Sequence, residues 1–116
     1  MLGTKSEDEI RVITAEIVKQ VKNLLKENIY KIVLYGSYAR GDFDIESDID
    51  VMIIMNCNKE EVCRYRKQIS RVANQIGLEN DIEVSLLLRD RDTFEQGGEV
   101  LSFYKNIQKE GIVLYG

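Results

Sequence analysis

Between Ile49 and Met55 the chain reads IDVMIIM, and no other stretch limits the fold so strongly. A strand with one wet face alternates apolar and polar residues; this one is dense in branched apolar side chains, the signature of a strand covered on both faces. Such cover must come from helices, and the periodicity supplies them. From Ser6 to Asn28, residues Ile10, Ile13, Ile17, Val21 and Leu24 recur every three or four positions, with Val12, Val18 and Leu25 widening the stripe, so the first element reads as an amphipathic helix. Ser6 is its cap, with Glu9 completing a capping box. A second helix is predicted over Lys59 to Ile76, where Val62, Tyr65, Ile69, Val72 and Ile76 mark one face and Gly77 and Asn80 form the stop and turn.

The remaining elements are short. Lys31 to Tyr35 reads as a strand that runs straight into Gly36, and Asp81 to Leu88 as a third strand, with Ile82, Val84 and Leu86 alternating with Glu83, Ser85 and Leu87. Gly97 and Gly98 precede a short helix carrying Val100, Leu101, Tyr104 and Ile107. Gly111 then releases the chain into Ile112 to Tyr115, an edge strand or an interface. The order helix, strand, strand, helix, strand, helix defines a small α/β (α+β) fold, a sheet with helices on at least one face. At 116 residues and 13.4 kDa, residues 1–116 are expected to form a single domain, without repeat or linker.

Composition narrows the chemistry. Hydrophobic residues at 44% and a net charge of -4 describe a soluble folded chain rather than a disordered acidic one. No cleavable apolar leader and no run of bilayer length is present, so membrane insertion is not expected and the cytoplasm is the expected location. Two cysteines, Cys57 and Cys63, are too few for a zinc site, and there is no histidine. Chemistry must therefore run on carboxylates, hydroxyls, amines, guanidinium groups or a hard cation. Arg64, Lys67 and Arg71 are interspersed with Glu60 and Glu61 in an acidic chain, which reads as a solvated helix face rather than a nucleic-acid footprint.

The stretch YGSYARGDFDIESDIDV, from Tyr35 to Val51, concentrates the candidates. Gly36 lets backbone amides approach a ligand, Ser37 adds a hydroxyl, and Arg40 offers a guanidinium fork for phosphate. The glycine spacing of a P-loop or a dinucleotide fingerprint is absent. Asp48 and Asp50 stand one residue apart at a strand start, so both point to one face and repel each other unless a cation lies between them. Mg²⁺ suits that pair, being hard, oxygen-seeking and commonly held by one or two carboxylates with substrate phosphates. Two such ions would align a hydroxyl with a nucleoside triphosphate. Glu83 faces the same way if the third strand lies beside the second, as a third ligand or as the base; Asp81 is its rival. Tyr38, in the loop, is within reach of a donor nucleotide, whereas Lys31 reads as solvent-facing, with phosphate contact the alternative.

At these residues the sequence resembles the minimal nucleotidyltransferase branch of the DNA polymerase beta-like superfamily. Its signature is Gly-Ser, ten residues, then Asp-x-Asp. Gly36-Ser37 and Asp48-Ile49-Asp50 meet it without a gap, and Arg40-Gly41 and Ser47 match its longer form. The resemblance spans nearly the whole chain and implies a mixed sheet flanked by helices, with nucleotide transfer from a triphosphate to a hydroxyl. It further implies Gly36, Ser37, Arg40 and Ser47 at the donor, Asp48 and Asp50 on two Mg²⁺ ions, and ATP as the donor. Glu83 falls where the family has a third aspartate, one methylene longer. Short members of this branch act as antitoxins of HEPN-type toxins, some by attaching AMP to a tyrosine, which implies such a protein partner. Occlusion of that partner without catalysis, or transfer to RNA or a small molecule, are the alternatives, and association of copies is a further expectation for so short a chain.

Overall fold

The computed structural model describes residues 6–41, 48–96 and 101–116. Ser6 opens the first helix, α1 (Glu7–Leu25), with the expected reciprocal cap. Its hydroxyl accepts the Glu9 N–H at 3.2 Å, and the Glu9 carboxylate accepts the Ser6 N–H at 3.1 Å. That cap satisfies donors the first turn would otherwise leave open. Ile10, Ile13, Ile17, Val21 and Leu25 are buried, each burial contributing about 1.5–3 kcal/mol. Val12 does not widen the stripe: it is 69% exposed, because two positions beyond Ile10 is more than half a helical turn.

A 3₁₀ turn (Lys26–Asn28) leads into β1 (Ile29–Tyr35). With β2 (Ile49–Met55), β3 (Val84–Asp90) and β4 (Ile112–Tyr115), it forms a mixed sheet ordered β3-β2-β1-β4 among the described residues. β1 runs antiparallel to β2 and β4, and β2 runs parallel to β3. A parallel pair requires a crossover, and α3 (Lys59–Asn80) supplies it. β2 is covered on both faces, as its composition demands. Ile49, Val51, Ile53 and Met55 join Ile32 and Leu34 in the larger core with α1 and α3, while Met52, Ile54 and Val33 meet Phe94 of α4 (Arg91–Gln96) and Ile107 of α5 (Leu101–Glu110).

β1 starts at Ile29, two residues before the sequence reading, and the end of α3 and the start of β3 differ from it for one physical reason. α3 does not stop at Gly77; it continues to Asn80 and closes on Asp81 in the left-handed conformation (φ 52°, ψ 48°), whose N–H donates to the Gly77 carbonyl. The Ile82 N–H also donates to that carbonyl, at 3.1 Å. Gly77 is where the chain folds back on the helix, since a Cβ there would stand 2.7 Å from the Ile82 carbonyl oxygen. Residues 81–83 are spent in closing the helix, so β3 starts at Val84 rather than Asp81 and runs on to Asp90. α4 was not foreseen. It begins where buried Asp90 accepts the Thr93 N–H at 3.0 Å and the Thr93 hydroxyl at 2.9 Å. Gly97, Gly98 and Val100, and the side chains of Leu101 and Tyr104, lie outside the described residues. Arg64, Lys67 and Arg71 are exposed along α3, and Tyr65 packs against the larger core. No described helix is long and apolar enough to cross a membrane.

Candidate active site

β1 ends at Tyr35 and the chain turns at once through Gly36, whose φ of 76° and ψ of -156° belong to a region that glycine alone adopts readily. One turn of helix, α2 (Ser37–Arg40), follows. The Arg40 and Gly41 N–H groups donate to the Gly36 and Ser37 carbonyls at 3.1 and 2.9 Å, and Gly41, left-handed at φ 83°, closes the turn. The opening amides of a helical turn have no partner inside it, which suits this end of α2, with the Ser37 hydroxyl, to phosphate oxygens. Tyr38 points the other way. It is buried in the larger core near Ile10 and Leu34, so the sequence expectation that it reaches the donor is corrected. Lys31 is also remote. It pairs with Ile54, four residues back from Tyr35, about 13 Å along the strand, and its ammonium lies over the Tyr30 ring.

The register brings the acids to this turn. Asp50 is the β2 partner of Tyr35 on one side and of Ser85 on the other, so these three side chains share a face. Gly36 lies directly against the Asp50 carboxylate: a Cβ at position 36 would stand 2.5 Å from Oδ2. The half-buried Asp50 carboxyl is pushed above its ordinary range, first by burial and then by the Asp48 charge, while the Arg40 charge opposes the shift. Asp48, Asp50 and Arg40 thus act on one another as a group. Tyr35, which the sequence reading did not single out, has its phenol raised by burial and by Asp50, with Arg89 opposing. Its position just before Gly36 was the available signal, but only the antiparallel register shows that it flanks Asp50.

Glu83 precedes β3 by one residue and is exposed, not enclosed in an apolar strand. Its carbonyl accepts the Ile49 N–H at 2.9 Å, and the ladder carried back one step from Ile49 and Val84 sets Glu83 next to Asp48. The side chains do not converge: among the described residues no three His, Cys, Asp or Glu groups form a metal-sized cluster. Glu83 also borders an open groove of about 570 Å³ lined by Gly77, Leu78, Asp81 and Ile82, where Leu78 is 85% exposed. Asp81, the rival acid, caps α3. Ser47 lies outside the described residues. The oxygen-only donor set of Asp48 and Asp50, one carboxyl disfavoured in its charged form by the other, fits a hard divalent cation such as Mg²⁺.

The glycine turn and the carboxylate pair stand at the end of a mixed sheet flanked by helices, a fold of the polymerase beta type. The family model for the nucleotidyltransferase domain matches residues 15–114, and the chain belongs to that family. Two proteins of Methanocaldococcus jannaschii, both provisionally named as protein adenylyltransferases, are similar to it. One is 35% identical over 80 residues, covering 69% of this chain and 79% of the relative; the other is 31% identical over 100 residues, covering 86% and 92%. Among solved structures, a provisionally named nucleotidyltransferase from Sulfolobus solfataricus superposes with a TM-score of 0.63 at 23% identity, covering 97% of this chain and 90% of that one. A toxin-antitoxin structure with AMP-PNP gives a TM-score of 0.58 at 20% identity, covering 88% and 72%.

Proposed function

We propose that this nucleotidyltransferase moves AMP from ATP to a hydroxyl of a protein partner, a tyrosine of a HEPN-type toxin, and thereby acts as its antitoxin. The observation that carries the reading is the apposition of Gly36 to Asp50, which joins a phosphate-binding turn to a carboxylate pair at one strand end. The naming of its relatives for protein adenylylation and the fold shared with toxin-antitoxin structures support the choice of acceptor.

In this scheme Gly36, Ser37 and Ser47 receive the donor phosphates, and the Arg40 guanidinium balances their charge. Asp48 and Asp50 would hold Mg²⁺, which when bound supplies Lewis-acid stabilisation of charge on the phosphate oxygens. Glu83, exposed beside Asp48 and bordering the groove at Leu78, takes the proton from the incoming hydroxyl at its carboxylate. The groove is the surface offered to the acceptor protein. The donor turn supplies orientation, holding the α-phosphorus for in-line attack, so that the hydroxyl oxygen bonds to that phosphorus as the bond from it to the β-phosphate oxygen breaks and pyrophosphate leaves.

Intact-mass measurement of a HEPN-type partner incubated with this protein, ATP and magnesium tests the reading. A mass gain of whole AMP units that disappears in Asp48→Asn and Asp50→Asn is expected. A neutralised but unmodified partner would reject transfer in favour of occlusion. Label transferred to RNA or to a small alcohol, with the protein partner unmodified, would retain the enzyme class and discard the antitoxin role.

A further inference from the structure

β4 is an outer strand, paired only with β1 among the described residues. Its four residues, Ile112 to Tyr115, include no charge or proline to blunt the edge, and Ile112 and Val113 are 47% and 52% exposed. A hollow of about 290 Å³ opens beside it, lined by Glu7, Arg11, Tyr38, Ile112 and Leu114. Helix α1 runs in the same sense as this strand. Its start shares the hollow with Ile112, and near its end the Lys22 ammonium lies 4.9 Å above the Tyr115 ring.

The flank of α1 on this side has an uneven charge pattern. Glu7 and Asp8 lie at its beginning, Ala15 and Val18 at its middle, and Lys22 at its end, with Lys26 in the 3₁₀ turn just beyond. All are exposed except Val18, which is half-buried. Arg11 shares the flank and stands four residues from Glu7, the spacing of a pair within one helix. A two-fold contact requires a patch that complements itself. Antiparallel placement of two such flanks sets the acidic start of each against the basic end of the other, with the small residues at the crossing.

We propose that β4 is a homodimerisation strand: two copies pair antiparallel along β4, their sheets become continuous, and their α1 flanks lie side by side with opposite charges matched. The second copy satisfies the outer backbone groups of β4 and covers Ile112, Val113 and the hollow beside Tyr38. The occupant is another copy of this chain because both halves of the charge match are found on the same surface. Asp48 and Asp50 are set at the start of β2, which β1 separates from β4, and no residue of the proposed contact is an acid of that pair, so the inference does not rest on the acceptor reading.

Sedimentation velocity of the full chain over a concentration series, with circular dichroism as the folding control, tests it. The unaltered protein should show a concentration-dependent dimer, and Val113→Lys should sediment as monomer. Two charge reversals give the sharper test. Glu7→Lys with Asp8→Lys makes the flank wholly basic, and Lys22→Glu with Lys26→Glu makes its two ends acidic. Each variant alone should lose the dimer, whereas a mixture of the two should regain it as a heterodimer with one copy of each, read by native mass spectrometry. A monomer at all concentrations, a dimer that survives Val113→Lys, or folded charge variants that fail to combine would overturn the proposal. If Val113→Lys does not fold, the mixing experiment decides alone.

Discussion

Gly36→Ala and Gly41→Ala form a matched pair that isolates what the donor turn does to the acid pair. Both glycines have positive φ, 76° and 83°, so alanine strains the backbone at either site, by about 1–3 kcal/mol. They differ in space. Nothing lies within 4 Å of a Cβ at position 41, whereas at position 36 it would stand 2.5 Å from the Asp50 carboxylate oxygen. Ordinary contact begins near 3.5 Å, so the carboxylate or the turn must give way by about 1 Å. The near atom is the free end of the Asp50 side chain, so the carboxylate swings aside at little cost in stability, but a displacement of ~1 Å at a reacting centre costs about 100-fold in rate. Gly36→Ala should therefore lower unfolding free energy only by the same backbone cost as Gly41→Ala, about 1–3 kcal/mol, yet lower AMP transfer by about 100-fold, while Gly41→Ala leaves the carboxylate in place. Urea unfolding gives the first quantity, and titration with magnesium and ATP, followed by single-turnover transfer, gives the second. Equal losses of transfer in the two variants would refute the argument that Gly36 is kept small by Asp50.

The other predictions test the charges. Asp48→Asn and Asp50→Asn should each abolish transfer. Asp50→Asn should also raise the melting temperature of the metal-free protein near neutral pH, because burial and Asp48 hold the native carboxyl above its ordinary range; the stability it contributes is present at low pH and lost as pH rises through its native pKa. A lower melting temperature at neutral pH would count against this sign. Asp90 has the opposite sign. Burial raises its carboxyl, but the Thr93 N–H and hydroxyl outweigh that and leave it below its ordinary value, so its contribution is lost as pH falls; Asp90→Ala should cost about 1–2 kcal/mol at neutral pH and less in acid, read by urea unfolding. Arg40→Ala should weaken ATP binding by about 10–100-fold, from loss of about 1.5–3 kcal/mol of charge-assisted bonding, with Arg40→Lys recovering part, read by calorimetry. Glu83→Gln should slow single-turnover transfer by about 100-fold or more while Glu83→Asp retains it, and an unchanged rate in Glu83→Gln would remove Glu83 from the scheme.

Much of this fold was legible because it depends on local pattern. The capping box at Ser6 and Glu9, the apolar stripe of α1 and the doubly covered β2 each follow from a few residues at fixed spacing. What was not legible depends on distant partners. Gly77 carries a stop signal, yet whether a helix ends there is decided by how closely Ile82 returns, and that contact displaced the start of β3 by three residues. α4 was missed because its cap, Asp90, lies at the end of a strand and its helical run is only six residues long. Tyr38 was misplaced because one turn of helix reverses its direction, carrying the ring under α1 instead of toward the donor.

The candidate site divides along the same line. Gly36, Asp48 and Asp50 were legible because strand alternation and an uninterrupted run from strand to turn constrain them within one segment. Glu83 was not so constrained. Its alternation with Ile82 and Val84 assigned it a parity, and the parallel register of β3 places it beside Asp48, but closure of α3 leaves it one residue short of the strand and exposed. That position matters chemically. It leaves the Glu83 side chain exposed at the border of the groove at Leu78, where the proposed scheme has the incoming hydroxyl arrive, and not within the sheet beside Asp50.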